Sequence, residues 1–277
     1  MRLIALFLSF ALLQFSSGVN LVEVYATVTD ERGELVRGLT REDFEVTEDG
    51  EPQSISTFVA GEFPLAVALA LDRSWSMAGK PLALAKSAAH TFLGQLRTAD
   101  RSMIIAIGNE AEIVAPLSSD RTGHHRALGS LEPWGTTSLH DAIIAAIDAI
   151  QPQQGRRALV VLSDGADRYS RATAGDVLTH ARRSDVLVYP VALAKTRPEL
   201  FAQLAVLTGG RSFHLTDPRE LGPTFSAIAQ ELRYQYLLGY SPSRPIGGGS
   251  EEEWRSIQVR VERPGVRVRA RDGYLAR

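Results

Sequence analysis

One aspartate and two serines at alternate positions, Asp72, Ser74 and Ser76, form the segment of this 277-residue chain that is best suited to chemistry. They follow the continuous apolar run at 64–71, which is typical of a buried parallel strand, and they precede a helical pattern at 80–96. The three side chains are therefore predicted in a loop at the carboxyl end of a strand, where open α/β sheets bind ligands. One carboxylate and two hydroxyls are hard oxygen donors, which suit Mg²⁺, Mn²⁺ or Ca²⁺. Taken alone, these residues could equally cap the following helix.

Two later segments have a similar character. A Gly-Thr-Thr turn at 135–137 opens a strongly periodic helix predicted over 138–150, and a Ser-Asp-Gly turn at 163–165 ends an apolar strand predicted over 157–162. Standing alone, the threonines would be helix caps and the second segment would be an ordinary turn. Because both apolar strands are predicted in one parallel sheet, we expect Asp72 and Asp164 at neighbouring strand ends.

Strands alternate with helices between residues 64 and 233, which predicts a mostly parallel sheet with helices on both faces. Shorter β segments flank this α/β part on both sides. Neither flank is large enough to bury a face alone, so we expect the two to share one small β-sandwich into which the α/β domain is inserted. The predicted parts are a signal peptide at 1–18, an N-terminal β segment at 19–62, the α/β domain at 63–233 and a C-terminal β segment at 234–277.

The pattern within the flanks gives two more detailed expectations. Residues 44–46 and 54–58 are predicted to pair as one hairpin, and residues 254–262 and 266–271 as another. The C-terminal arginines alternate with valine and isoleucine, so they are predicted on the solvent-exposed face of these strands. These arginines are Arg255, Arg260, Arg263, Arg267, Arg269, Arg271 and Arg277.

The first 18 residues have the charged start, apolar run and small-residue exit of a secretory signal peptide, with an uncut membrane anchor as the alternative. No other stretch of the sequence approaches the roughly 18 apolar residues of a membrane span. The chain has no cysteine, so an exported mature protein must be stable without disulfides. Its net charge of −2 gives no general attraction to nucleic acid or anionic membrane. We expect a secreted or periplasmic protein that binds no nucleic acid and has no membrane span after signal cleavage.

In their order along the chain, the three motifs resemble the metal-ion-dependent adhesion site of the von Willebrand factor A domain family. The resemblance covers about residues 64–233 and implies a Rossmann-like α/β fold for this part. The flanks resemble those of exported bacterial von Willebrand A-related proteins, best known from Acidobacteria, and this likeness implies no defined biochemical function. The resemblance implies that a divalent ion, Mg²⁺ or else Mn²⁺ or Ca²⁺, is held by Asp72, Ser74, Ser76, Thr137 and Asp164.

The leading hypothesis for function is a non-enzymatic module that uses this ion to capture an Asp or Glu carboxylate of an unknown partner protein. The family usually has glycine between the two serines, where this chain has Trp75. The indole could anchor a partner or pack on a neighbouring loop. A metal-free structural domain of the cell envelope and a hydrolase are the alternatives. The sequence has neither a Gly-x-Ser-x-Gly elbow nor a His-Glu-x-x-His pair, which weighs against the hydrolase.

Overall fold

The computed structural model describes residues 21–61, 63–244 and 252–276, so the predicted signal peptide lies outside the described residues. None of the helices in these ranges is long and apolar enough to cross a membrane. The elements are, in chain order, β1 (Val22–Asp30), β2 (Phe44–Glu48), β3 (Glu51–Gln53), β4 (Ile55–Ala60), β5 (Leu65–Asp72), α1 (Lys80–Gln95), β6 (Arg101–Ile107), β7 (Ala111–Ser118), α2 (Arg121–Gly129), α3 (Leu139–Ile150), β8 (Arg156–Ser163), α4 (Ala174–Arg182), β9 (Val186–Leu193), α5 (Glu199–Thr208), β10 (Phe213–Leu215), α6 (Leu221–Arg233), β11 (Tyr236–Tyr240), β12 (Glu253–Val261), β13 (Val266–Arg269) and β14 (Gly273–Ala276).

A six-stranded sheet forms the centre of the α/β part, with strand order β10-β9-β8-β5-β6-β7. Its first five strands are parallel, and β7 pairs antiparallel with β6 at the edge. Strand β5 is buried along its whole length, as its uninterrupted apolar sequence requires. Leu71 of β5 pairs with Leu162 of β8, so the carboxyl ends of these two strands lie side by side.

The helices cover both faces of this sheet. Odd-numbered residues of β5, such as Leu69, pack with α1, α2 and α6, whereas even-numbered residues, such as Ala68, pack with α3, α4 and α5. Since successive side chains of a strand point to opposite faces, one apolar run supplies both halves of the core. The predicted α/β fold class is confirmed.

The flanking strands form two four-stranded antiparallel sheets, with orders β13-β1-β11-β4 and β14-β12-β2-β3. Each sheet combines strands from before and after the α/β part, and apolar residues of both sheets share one buried cluster. The strands that lead into and out of the α/β part, β4 and β11, are neighbours, and Ala60 pairs with Tyr236. The insertion of an α/β part into a β-sandwich agrees with the prediction, while the exact domain boundaries stay a prediction.

The pairings predicted for the two hairpins are wrong. Strand β2 turns into the short β3 and pairs with it, after which the chain crosses to the other sheet, where β4 pairs with β11. In the same way, β12 pairs with β2 and β14, whereas β13 pairs with β1. Alternation of apolar residues identifies each strand but does not tell which sheet of a sandwich it joins, because both sheets have one buried face.

The expected solvent exposure of the C-terminal arginines is wrong for Arg255. This residue has the same parity as Ile257, faces the interior of the sandwich and is only 4% exposed. Its Nη1 lies 3.1 Å from a carboxylate oxygen of Glu48, and the hydroxyls of Tyr240 and Tyr274 donate to the other oxygen at 2.8 and 2.9 Å. The buried charges are tolerated because they are paired and hydrogen-bonded.

The outer face of the first sheet packs against the α/β part through a polar cluster. Arg269 of β13 contacts Glu231 of α6 at 2.6 Å, and the Tyr189 hydroxyl donates to the same carboxylate at 3.0 Å. The Gln235 amide donates to Tyr189 and to Thr27, both at 3.1 Å. These contacts join the sandwich to the α/β part, so Arg269 is an interface residue whose side chain is only partly exposed. The predicted exposure is wrong for Arg271, whose side chain is 14% exposed.

Candidate metal site

Asp72 occupies the last position of β5 and is fully buried. Its carboxylate accepts two hydrogen bonds, one from the backbone N–H of Ser74 at 2.8 Å and one from the hydroxyl of Ser163 at 2.7 Å. Because Ser163 ends the neighbouring strand β8, this second bond ties the two strand ends together. The carboxylate orientation is thus fixed by its own loop and by the adjacent strand.

The two serines of the first motif lie close together. Ser74 is buried and Ser76 is exposed, and their hydroxyl oxygens are 3.0 Å apart. A single 3-10 turn, Trp75–Met77, separates Ser74 from α1, and the side chain of Met77 is buried in the core. Packing of Met77 in the core therefore holds the turn in place, while the hydroxyls of Ser74 and Ser76 lie at the carboxyl edge of the sheet.

Backbone hydrogen bonds connect the remaining two loops to this edge. The N–H of Trp75 donates to the carbonyl of Gly135 at 3.2 Å, and the N–H of Arg168 donates to the carbonyl of Thr137 at 2.9 Å. Thr137 itself is buried. The structure thus brings the loops that carry the first, second and third motifs into direct contact, as predicted.

Asp164 follows β8 in a tight turn. One of its carboxylate oxygens accepts the N–H of Ala166 at 2.9 Å, and the N–H of Gly165 donates to the Ser163 hydroxyl at 3.1 Å. Gly165 has a φ of +80°, and a Cβ placed there would lie 2.3 Å from Pro198 Cγ. Only glycine fits this position without strain, so the turn holds Asp164 beside Asp72.

The electrostatics of the edge favour a bound cation. Burial raises the pKa of the Asp72 carboxyl, the nearby Asp164 charge raises it further, and the hydrogen bonds from Ser74 and Ser163 oppose both effects. Among the ion pairs of the described residues, none involves Asp72 or Asp164. Two carboxylates with no cationic partner and nearby hydroxyls fit the donor preference of a hard divalent cation.

The five predicted ligands thus lie on three contacting loops, and their role as ligands stays a prediction. Within the described ranges, no group of three or more His, Cys, Asp or Glu side chains could hold a metal ion, so this edge depends on its hydroxyls. Sequence reasoning missed Ser163, which holds the Asp72 carboxylate. Its place at the end of the second buried strand, level with Asp72, was the available signal.

Aromatic side chains border this edge on all three loops. Trp75 is 66% exposed, and Trp134 and Tyr169 are exposed as well. The guanidinium of Arg73 lies 5.3 Å from the centre of the Trp134 ring and contacts Glu112 at 2.6 Å. The exposed indole of Trp75 next to Ser74 and Ser76 fits the predicted partner contact, which stays a prediction.

The histidines have contacts typical of structural roles. His124 of α2 lies 3.2 Å from the hydroxyl of Ser102 on β6, but both residues are buried. His140 contacts the carbonyl of Ala172 at 3.0 Å, and His180 contacts Asp148 at 2.8 Å. The Ser102–His124 pair is closed to a substrate, which weighs against the hydrolase alternative.

Comparison with known proteins agrees with this fold. Residues 67–166 match the family model of the von Willebrand factor type A domain. Human calcium-activated chloride channel regulator 4 is 28% identical over an alignment of 160 residues that covers 54% of this chain and 17% of that protein. The chain therefore corresponds to about a sixth of the length of this curated relative.

Two solved structures extend the comparison. A von Willebrand factor type A protein from Catenulispora acidiphila has a TM-score of 0.55 and 13% identity, over 95% of this chain and 74% of that one. An aerotolerance-related membrane protein from Bacteroides fragilis has a TM-score of 0.51 and 22% identity, over 61% of this chain and 98% of that one. The first likeness extends through the flanking strands as well. Residues 67–166 of this chain, at the heart of its α/β part, belong to the von Willebrand factor type A domain family.

Proposed function

We propose that this protein is a non-enzymatic, metal-dependent protein-binding module. Asp72, Ser74, Ser76, Thr137 and Asp164 hold Mg²⁺, Mn²⁺ or Ca²⁺, and a partner protein contributes an Asp or Glu carboxylate. The observation that carries the proposal is the buried Asp72 carboxylate, which lies beside Asp164 with no ion-pair partner among the described residues and close to the hydroxyls of the first motif.

The charge balance explains why a partner would bind through a carboxylate. Asp72 and Asp164 formally neutralise a divalent cation, and the hydroxyls add dipoles without charge. The bound ion would supply a hard Lewis-acidic position that prefers an anionic oxygen to an amide oxygen. The chain's own contribution is to hold the donors in place, through Ser163 and the hydrogen bonds that connect the loops. Binding of the partner would then require the metal.

Exposed aromatic surface would add to this contact. Trp75 stands between the two serines and is exposed, and tryptophan is enriched among the residues that dominate interface energies. We expect the indole to pack around the partner carboxylate without taking part in metal binding. The export signal predicted at 1–18 would place this recognition outside the cytoplasm, in a secreted or periplasmic protein.

Metal binding is tested first with the metal alone. Mn²⁺ is titrated into the protein and free Mn²⁺ is followed by electron paramagnetic resonance, for the native chain, Asp72→Ala and the control Asp148→Ala. Asp148 is an exposed carboxylate on α3 that contacts His180. We expect one bound ion for the native chain and the control and none for Asp72→Ala. Equal binding by all three proteins would place any ion elsewhere.

The partner is tested second. The protein is cross-linked in a cell-envelope extract with Mg²⁺ or with chelator, and the native chain is compared with Asp72→Ala. We expect a partner that depends on both Mg²⁺ and Asp72. A partner captured equally in chelator would mean that recognition uses another surface, and would favour the metal-free structural domain of the envelope.

A further inference from the structure

A second cleft lies between the sandwich and the α/β part, at the amino ends of β8 and β9. This edge of the sheet is opposite to the candidate metal site. The cleft has a volume of about 620 Å³. That volume lies within the range of about 300–1,000 Å³ that is typical of small-molecule sites, and such sites are common where two structural units meet.

The lining of the cleft is rich in arginine. Among the described residues, four arginines and two acidic residues, Glu23 and Asp185, line it. Glu23 already accepts a hydrogen bond from the Tyr25 hydroxyl at 2.9 Å. The guanidinium of Arg182 lies 4.7 Å from the centre of the Trp254 ring, which gives the cleft an aromatic wall. The four arginines are Arg157, Arg182, Arg183 and Arg271; Arg183 pairs with Glu252 at 3.0 Å, so the positive charge that remains for a ligand is that of the other three arginines against Glu23 and Asp185.

Asp185 shows what the cleft can hold between its two recessed arginines. Its carboxylate receives Arg271 from the sandwich and lies 3.6 Å from Arg157 of the α/β part. The two arginine side chains are only 14% and 17% exposed, whereas the Asp185 side chain is 56% exposed. Two recessed guanidinium groups are thus bridged by an exposed carboxylate, which an anion from solution could replace without repacking the core.

We propose that this cleft binds a soluble phosphate monoester, with its phosphoryl oxygens between Arg157 and Arg271. Guanidinium groups bind phosphate oxygens in a bidentate manner, and a dianion is attracted more strongly than the single charge of Asp185. Arg182 is exposed at the mouth and would attract the anion, whereas Arg183 is paired with Glu252. The remaining volume, with Trp254 and Tyr274 in its lining, would receive the rest of the ligand. This proposal is independent of the candidate metal site.

The test uses two probes, inorganic phosphate and glycerol phosphate, measured by calorimetry at constant ionic strength set with chloride. The variants are Arg271→Ala, Arg182→Ala and Asp185→Asn, and the control is Arg267→Ala, an exposed arginine on β13. We expect affinity to fall about tenfold or more with Arg271→Ala, which corresponds to the loss of one bidentate contact. Arg182→Ala removes an exposed side chain and should also weaken binding, even where Arg271→Ala disturbs folding.

Asp185→Asn gives the sharpest result. If Asp185 is a competitor for the same place, its removal should tighten binding of both probes by about threefold or more, since the arginines lose their internal anion. If Asp185, Arg157 and Arg271 form only a structural ion-pair network, Asp185→Asn should lower the stability of the protein and should not raise its affinity for phosphate. Absence of phosphate binding by the native chain, or weaker binding by Asp185→Asn, would overturn the proposal. Tighter binding of glycerol phosphate than of phosphate would show that the rest of the cavity contributes.

Discussion

Removal of the divalent ion should lower the stability of the native chain, and Asp72→Ala should remove this response. Because Asp72 is fully buried and has no ion-pair partner among the described residues, ion binding adds an opposite charge to a carboxylate that is otherwise stabilised by the hydrogen bonds from Ser74 and Ser163. At a metal concentration of about 100 times the dissociation constant, the folded state gains about 2.7 kcal/mol. For a chain of this length each kcal/mol raises the melting temperature by about 2–4 °C, so we expect a rise of roughly 5–11 °C.

The assay is thermal unfolding in chelator and in millimolar Mg²⁺ or Mn²⁺, for the native chain, Asp72→Ala and Asp148→Ala. The control carboxylate lies on the exposed side of α3, so its variant should keep the full response. An unchanged melting temperature of the native chain between chelator and metal would refute the reasoning, provided that metal analysis shows the chelated protein to be free of ion. A full response in Asp72→Ala would place the stabilising ion at another position.

Three further predictions concern other parts of the molecule. Trp75→Gly should leave Mn²⁺ uptake unchanged and weaken binding to any metal-dependent partner, measured by titration calorimetry, because the exposed indole touches the partner and not the ion. Glu231→Ala should lower the free energy of unfolding, measured in urea, by about 3 kcal/mol. This value is at the lower end for a broken buried ion pair because Arg269 is partly exposed. As a control, Glu112→Ala breaks an exposed ion pair and should lower the free energy of unfolding by less than about 1 kcal/mol. Burial and the neighbouring His125 and Lys86 lower the pKa of His90, so stability should fall as the pH drops below about 6.5, and His90→Gln should reduce this fall in acid-unfolding curves.

The sequence predicts the α/β part well because its signals are local. The apolar run of β5 is long enough to be buried on both faces, and polar residues follow it at once, so both the strand and the loop at 72–76 can be read directly. The order of the three motifs then predicts which loops meet. The contact between Ser163 and Asp72 depends on the register of β5 against β8, which is a property of the sheet and not of either segment.

The sandwich was harder to predict because its partners are distant in sequence. Strand β12 pairs with β2, about 200 positions earlier, and the intervening α/β part gives no sign of this register. Arg255 shows the same difficulty at the level of one side chain. Arginine at a strand position normally indicates solvent, and the burial of Arg255 depends on partners that include the distant Glu48 as well as Glu253 and the Arg244 carbonyl. Local patterns identify strands, whereas strand pairing and the burial of a charged side chain depend on contacts between residues that are distant in sequence.

The position of β4 and β11 has a mechanical consequence. These neighbouring strands are the two connections to the α/β part, and they meet at the pair Ala60–Tyr236. A pull on a partner at the far, carboxyl edge of the central sheet would therefore reach the sandwich along both strands simultaneously, in the same direction. The force would displace both strands in the same direction and would not shear β4 against β11. The hydrogen bonds between β11 and β1 and the polar cluster around Glu231 would also resist the force. The α/β part is thus connected to the sandwich by two adjacent strands, β4 and β11, which belong to the same sheet.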